Sequence, residues 1–138
     1  MFWSTILLFF IHYRSVPTVS KYVKLTKGVD LQSLVLMDIQ RLVAQNEVVI
    51  SSYGYEELAA DDIFVQDVLL SISEAVVVED YPAFGKGPCV LVLQEDNNRQ
   101  PVHVVWGIAR GKVSPAVLIT AYRPDPEKWV DDFTRRKK

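Results

Sequence analysis

Cys89-Val90-Leu91-Val92-Leu93 is an unbroken apolar run, and two more follow at short intervals: Val102-His103-Val104-Val105-Trp106, continuing to Ala109, and Ala116-Val117-Leu118-Ile119-Thr120-Ala121-Tyr122. Runs of this length and composition, bounded by turn residues, predict β-strands. Asp96-Asn97-Asn98 supplies turn chemistry between the first and second, and Gly111-Lys112 separates the second from the third. Upstream, Val76-Val77-Val78 within Ala75 to Glu79 adds a strand, followed by an irregular loop carrying Pro82, Gly85, Gly87 and Pro88. The expectation is an antiparallel meander of about four strands.

The preceding segment carries helical spacing instead. Ile39, Leu42 and Val43 lie at i, i+3 and i+4, and Glu47 to Ile50 is a short β-prone run behind them. Tyr55 to Ala60 reads as a second short helix after Gly54. Val65, Val68, Leu69 and Ile72 share one face of a third, with Asp61 and Asp62 near its start, where negative charge is favourable. After the strands, Asp125 suits an N-cap and Pro126 the first helical position, and Trp129 and Phe133 fall one turn apart, which predicts a short C-terminal helix. Helices, a meander and a closing helix make an α+β domain with helices packed on one sheet face.

Residues 1–36 differ from the rest. Ile6-Leu7-Leu8-Phe9-Phe10-Ile11 is far shorter than the roughly 20 apolar residues that span a bilayer. No basic residue precedes it, and no alanine occurs before Ala44, so a secretory signal fits poorly. The segment reads as an upstream extension or a start codon placed too early, with a membrane-associated segment as the alternative. Met37 opens the single domain, 37–138, with no stable membrane association expected.

The 138 residues are 49% apolar and 23% charged, a globular composition. One cysteine, Cys89, excludes an internal disulfide framework and a thiolate zinc cluster, and points to the cytoplasm. The net charge of -2 argues against nucleic-acid binding by bulk charge, but it is unevenly spread. Residues 37–80 hold one basic and ten acidic side chains, and residues 81–138 ten basic and six acidic, ending in Arg135-Arg136-Lys137-Lys138. Screening over about 8–10 Å lets the basic half attract a polyanion locally.

No phosphate-binding glycine loop, dinucleotide fingerprint, zinc-protease pair or nucleophile elbow is present. With His12 and His103 the only histidines, no metal and no cofactor are expected. Alternation places His103 opposite Val102, Val104 and Trp106, on an open sheet face if those three pack under the helices. If Ala109 pairs with Ala116, His103 lies across from Tyr122, with Thr120 nearby; a one-residue slip places it by Ala121 instead, flanked by Arg123 and Ile119. An imidazole, a phenol and a guanidinium on a basic face suit metal-independent RNA cleavage. His103 would act as base or acid, Tyr122 as acid or orienting group, and Arg123 or Arg110 as phosphate clamp, with Lys112 and Thr120 beside the substrate. The blander alternatives are a hydrogen-bonded strand histidine and cations that keep a hairpin soluble. Trp106 and Trp129 read as core, and Cys89 as an inert buried thiol.

Met37-Asp38-Ile39, residues 49–63, Gly87-Pro88-Cys89, Pro101-Val102-His103-Val104-Val105-Trp106 and the ending Ile119-Thr120-Ala121-Tyr122-Arg123-Pro124-Asp125-Pro126-Glu127-Lys128-Trp129 closely resemble the domain of unknown function 4258 family. The resemblance implies a small bacterial toxin-type protein of RelE-like or MqsR-like fold. It implies as partners an antitoxin encoded nearby, a zinc-finger or DNA-binding protein, and RNA or the ribosome. Where the family carries a histidine before a short helix, this chain has Tyr53. With a phenol pKa near 10, Tyr53 is a poor base at neutral pH, so the implied endoribonuclease is attenuated if that histidine transfers protons. The competing class is a non-enzymatic module that binds a protein through its acidic helices or open sheet face.

Overall fold

A computed structural model describes residues 33–138, and the expectations for the leader, residues 1–32 in particular, lie outside it. The fold is α+β. Its elements are α1 (Leu34–Ala44), β1 (Val48–Ile50), α2 (Ser52–Ala60), α3 (Val65–Ser71) with a 3-10 turn (Ile72–Glu74), β2 (Val76–Tyr81), β3 (Cys89–Glu95), β4 (Pro101–Gly107) and β5 (Ala116–Tyr122). Among the described residues, no helix is long and apolar enough to cross a membrane.

Helix α1 starts where Ser33 accepts the Leu36 N–H at 3.1 Å. Val35, Leu36, Ile39 and Leu42 form its buried face. The boundary drawn at Met37 therefore falls inside this helix. Ser51 caps α2 by accepting from Gly54 N–H at 2.8 Å, while its hydroxyl donates to the Ile119 carbonyl at 3.1 Å. Helix and strand approach closely here: a Cβ on Gly54 would stand 3.0 Å from the Leu118 carbonyl oxygen.

The sheet has five strands in the order β1-β5-β4-β3-β2, and it is mixed. This corrects the four-stranded antiparallel expectation. Val48, Val49 and Ile50 pair parallel with Ala116, Val117 and Leu118, anchored by Ala116 N–H to the Glu47 carbonyl and Ser51 N–H to the Leu118 carbonyl. Three β-prone residues carry too little pattern to announce such distant pairing.

Both registers considered for β4 and β5 occur. Near the hairpin Gly107 pairs with Val117 and Trp106 with Leu118; beyond a bulge at Ile119, Val105 pairs with Thr120 and His103 with Tyr122. Val102, Val104 and Trp106 join Val90, Val92, Leu118 and the helices in the main core, as alternation predicts. Trp106 is fully buried, and its indole N–H donates to Gln94 Oε1 at 2.9 Å. The Gln94 amide in turn donates to the Val68 carbonyl at 2.7 Å and the Ser71 hydroxyl at 2.8 Å, tying strand to helix α3.

The opposite sheet face is covered too. Tyr81, Cys89, Leu91 and Val105 pack with Trp129, Phe133 and Phe84 in a second apolar cluster. The cover is residues 124–138, which form no helix. A single turn closes at Asp125, whose carbonyl accepts from Lys128 and Trp129 N–H groups; the chain then reverses so that Trp129 bridges Arg136. Asp131 and Asp132 would sit at the negative end of the expected helix, the unfavourable sign, whereas Asp132 instead caps a turn through Thr134.

Candidate functional site

His103 lies opposite Val102, Val104 and Trp106, but its face is not open. Its ring is completely buried. Nε2–H donates to the Phe133 carbonyl at 2.8 Å, so Nδ1 accepts from the Tyr122 hydroxyl at 3.2 Å. Trp129 and Tyr122 meet the imidazole edge-on, with ring centroids 4.4 and 5.3 Å away. Burial, opposed by the Phe133 carbonyl and aided by the Arg136 charge, lowers its pKa from 6.5 to about 4. The ring is neutral at pH 7.

This has a stability consequence. The unfolded chain binds a proton at His103 near pH 6.5 and the folded chain only near 4, so stability falls as pH drops through that window. The loss is about 3 kcal/mol by pH 4. Urea titrations at pH 7.5, 5.5 and 4 should show the decline, with a smaller one in His103→Gln.

Thr120 shares this face, pairs with Val105 and is buried, and its Oγ1 has no hydrogen-bond partner among the described residues. Burial raises the Tyr122 pKa well above 10, so the phenol stays protonated. His103, Thr120 and Tyr122 thus form the polar row expected from sequence, under a cover that was not. Cys89 is buried as expected, its thiol pushed up to about 12 by burial and by Asp80.

The covering segment is held by side chains. Trp129 is buried, and Arg136 stacks over its ring at 4.6 Å while reaching Glu79 Oε1 through Nη2 at 2.9 Å and Nε at 3.0 Å. Tyr81 donates its hydroxyl proton to the same carboxylate. Phe133 takes a left-handed φ of 60°, which costs a bulky residue about 1 kcal/mol, and from there its carbonyl reaches His103.

Beside the row opens a cleft of about 330 Å³, lined by Glu57, Asp61, Tyr122, Arg123, Lys128 and Arg136 among others. Arg123 pairs with Asp96 at 2.7 Å, and its backbone N–H donates to Asp61 at 2.8 Å. Tyr53, Glu57 and Asp61 follow at successive i+4 positions, the first two on α2 and the third at its end. Burial together with the Glu57 and Glu56 charges raises the Tyr53 pKa. Burial and the Asp61 and Glu56 charges raise that of Glu57 in turn.

The structure thus gathers His103, Tyr122, Thr120 and Arg123, with Tyr53 one helical turn from a cleft residue. Arg110 and Lys112 are not part of the group. They are exposed on the turn before β5, at the Ala116 end, roughly 20 Å from Tyr122 at strand rise. Glu57, Lys128 and Arg136 were missed. The Tyr53-Glu57-Asp61 spacing is legible in the sequence, whereas Arg136 arrives only through its pairing with Trp129.

Part of this arrangement lies within a known domain. The family model described as Domain of unknown function (DUF4258) matches residues 50–123. The chain belongs to that family. The matched span runs from the end of β1 to Arg123 and includes Glu57, His103, Thr120 and Tyr122, while the cover lies beyond it. No curated protein and no solved structure matches.

Proposed function

We propose that this domain is a metal-independent, toxin-type endoribonuclease of RelE-like character, acting in the cytoplasm and held in check by an antitoxin encoded nearby. The observation that carries the reading is the hydrogen-bonded His103–Tyr122 pair, with Thr120 on the same face and Arg123 and Lys128 in the adjoining cleft. A 2'-hydroxyl attacks the adjacent phosphorus as its proton passes to the imidazole. The new O–P bond forms and the P–O5' bond breaks as the Tyr122 hydroxyl gives its proton to the leaving 5'-oxygen; the imidazolium then returns a proton from Nδ1 to the phenolate, leaving a 2',3'-cyclic phosphate, a 5'-hydroxyl and the starting side chains. Arg123 offsets the charge on the phosphorane. Glu57, whose pKa is raised by burial and by the Asp61 and Glu56 charges, borders the same cleft.

Measured on the full chain with a single-stranded RNA, His103→Gln should lower cleavage at least 100-fold, within the usual range for a positioned acid–base group, and Arg123→Gln, which removes a cation from the developing charge, about tenfold. Retained circular dichroism in both variants separates this loss from unfolding. A second reading, a non-enzymatic protein-binding module, is favoured by the complete burial of His103. Intact RNA under every condition, with a stable complex formed by the co-expressed neighbouring protein, would select it.

A further inference from the structure

We propose that residues 124–138 form a strap that lifts as a unit from the face carrying His103, Thr120 and Tyr122, so that the arrangement seen is the closed, self-inhibited state of the site. This rests on the reading of that face as the RNA-cleaving one.

The bonding of the strap separates it from the body. Among the described residues, its backbone-to-backbone hydrogen bonds are internal: Lys128 and Trp129 N–H to the Asp125 carbonyl, Val130 N–H to Arg135, Phe133 N–H to Val130, and Lys137 N–H to Lys128. The Trp129–Arg136 bridge and the stacking of Arg136 on Trp129 are internal as well. These contacts travel with the strap when it moves. Among the described residues its attachments to the body are made by side chains and one carbonyl: the Trp129 and Phe133 rings in the second apolar cluster, the Arg136–Glu79 ion pair and the His103–Phe133 bond. A segment that keeps its own bonds and releases few others opens locally at lower free energy than the sheet beneath it.

What the strap hides is also informative. An apolar cover suits an apolar face, and over Leu91 and Val105 the match is good. Over the polar row it is poor, because Thr120 Oγ1 is buried without a partner. Lifting the strap releases His103 Nε2–H from the Phe133 carbonyl, and moving that proton to Nδ1, which then donates to the Tyr122 hydroxyl, leaves Nε2 with the lone pair of a base. It also returns the imidazole toward its ordinary pKa, the range in which it serves as a base near neutral pH. Opening therefore converts an inert ring into a competent one without rearranging β4 or β5.

Carbethoxylation of His103 on the intact chain tests this, with Arg136→Gln as the latch variant and hydrogen exchange of the central β4 and β5 amides as the measure of opening of the body. His103 should be modified at least 100-fold faster than opening of β4 and β5 permits. Arg136→Gln should raise carbethoxylation of His103 about tenfold, leaving the β4 amides unchanged. RNA cleavage should rise in the same proportion. His103 modified only as fast as β4 and β5 open, in both proteins, would overturn the strap whatever the RNA assay shows. A strap that opens and exposes His103 while RNA stays intact supports the strap and removes the nuclease reading instead.

Discussion

Trp106→Ala should lower the unfolding free energy by about 4 kcal/mol, the largest loss for any single side chain of the main core. The indole is fully buried among both helices and strands, so its removal leaves a cavity that the close-packed surroundings fill only in part. A second loss adds to the first. Gln94 Oε1 accepts from the indole and lies in a buried site, so truncation leaves it unpaired while its amide stays committed to Val68 and Ser71. Trp106→Phe separates the two contributions: it refills most of the volume but orphans Gln94, for a cost of about 2 kcal/mol. Urea unfolding midpoints of the three proteins give both figures, provided the denaturant slope is unchanged.

Gly87→Ala should cost a comparable 3–5 kcal/mol for a backbone reason. Gly87 has a φ of 126°, and a Cβ there would lie 2.1 Å from the Ile108 carbonyl oxygen and 2.6 Å from the Arg110 nitrogen. These neighbours are main chain and cannot swing aside. On either side, Ile108 N–H donates to Pro88 and Arg110 N–H to Lys86, at 3.0 Å each, so the loop before β3 is stitched to the end of β4 across this residue. A methyl group forces those bonds apart. Position 87 thus has a physical reason to hold glycine. Thermal unfolding of the variant should show a Tm lowered by 10 °C or more, at the roughly 4–8 °C per kcal/mol typical of domains this size; a change under 2 °C would show that the loop re-routes at little cost.

Much of this architecture is written locally. Ala116 to Tyr122 forms β5 with the ends expected from its composition, and alternation alone puts Val102, Val104 and Trp106 under the helices. The His103–Tyr122 pairing follows from one of the two registers open to the hairpin, and the bulge at Ile119 is what lets the chain take the other register at the turn. The features that escaped are non-local. Val48–Ile50 is a strand because Ala116–Leu118 offers it an edge, and nothing within three residues specifies that edge. The strap escaped because Asp125 and Pro126 genuinely start a turn, while the reversal depends on Trp129 meeting Arg136 and on Glu79 meeting the guanidinium. The open face assigned to His103 was lost through the same contacts. Chemistry was legible as residue types on a strand; access to it was not.

The central claim is that His103, Tyr122 and Arg123 act on an RNA phosphodiester. It is tested most directly by incubating the Arg136→Gln chain, and the same chain with His103→Gln added, with a single-stranded RNA in the presence of a metal chelator and mapping the product ends. The account predicts 2',3'-cyclic phosphate and 5'-hydroxyl ends from the first protein and a rate at least 100-fold lower from the second. RNA left intact by the first protein, or cut equally well by both, would contradict it.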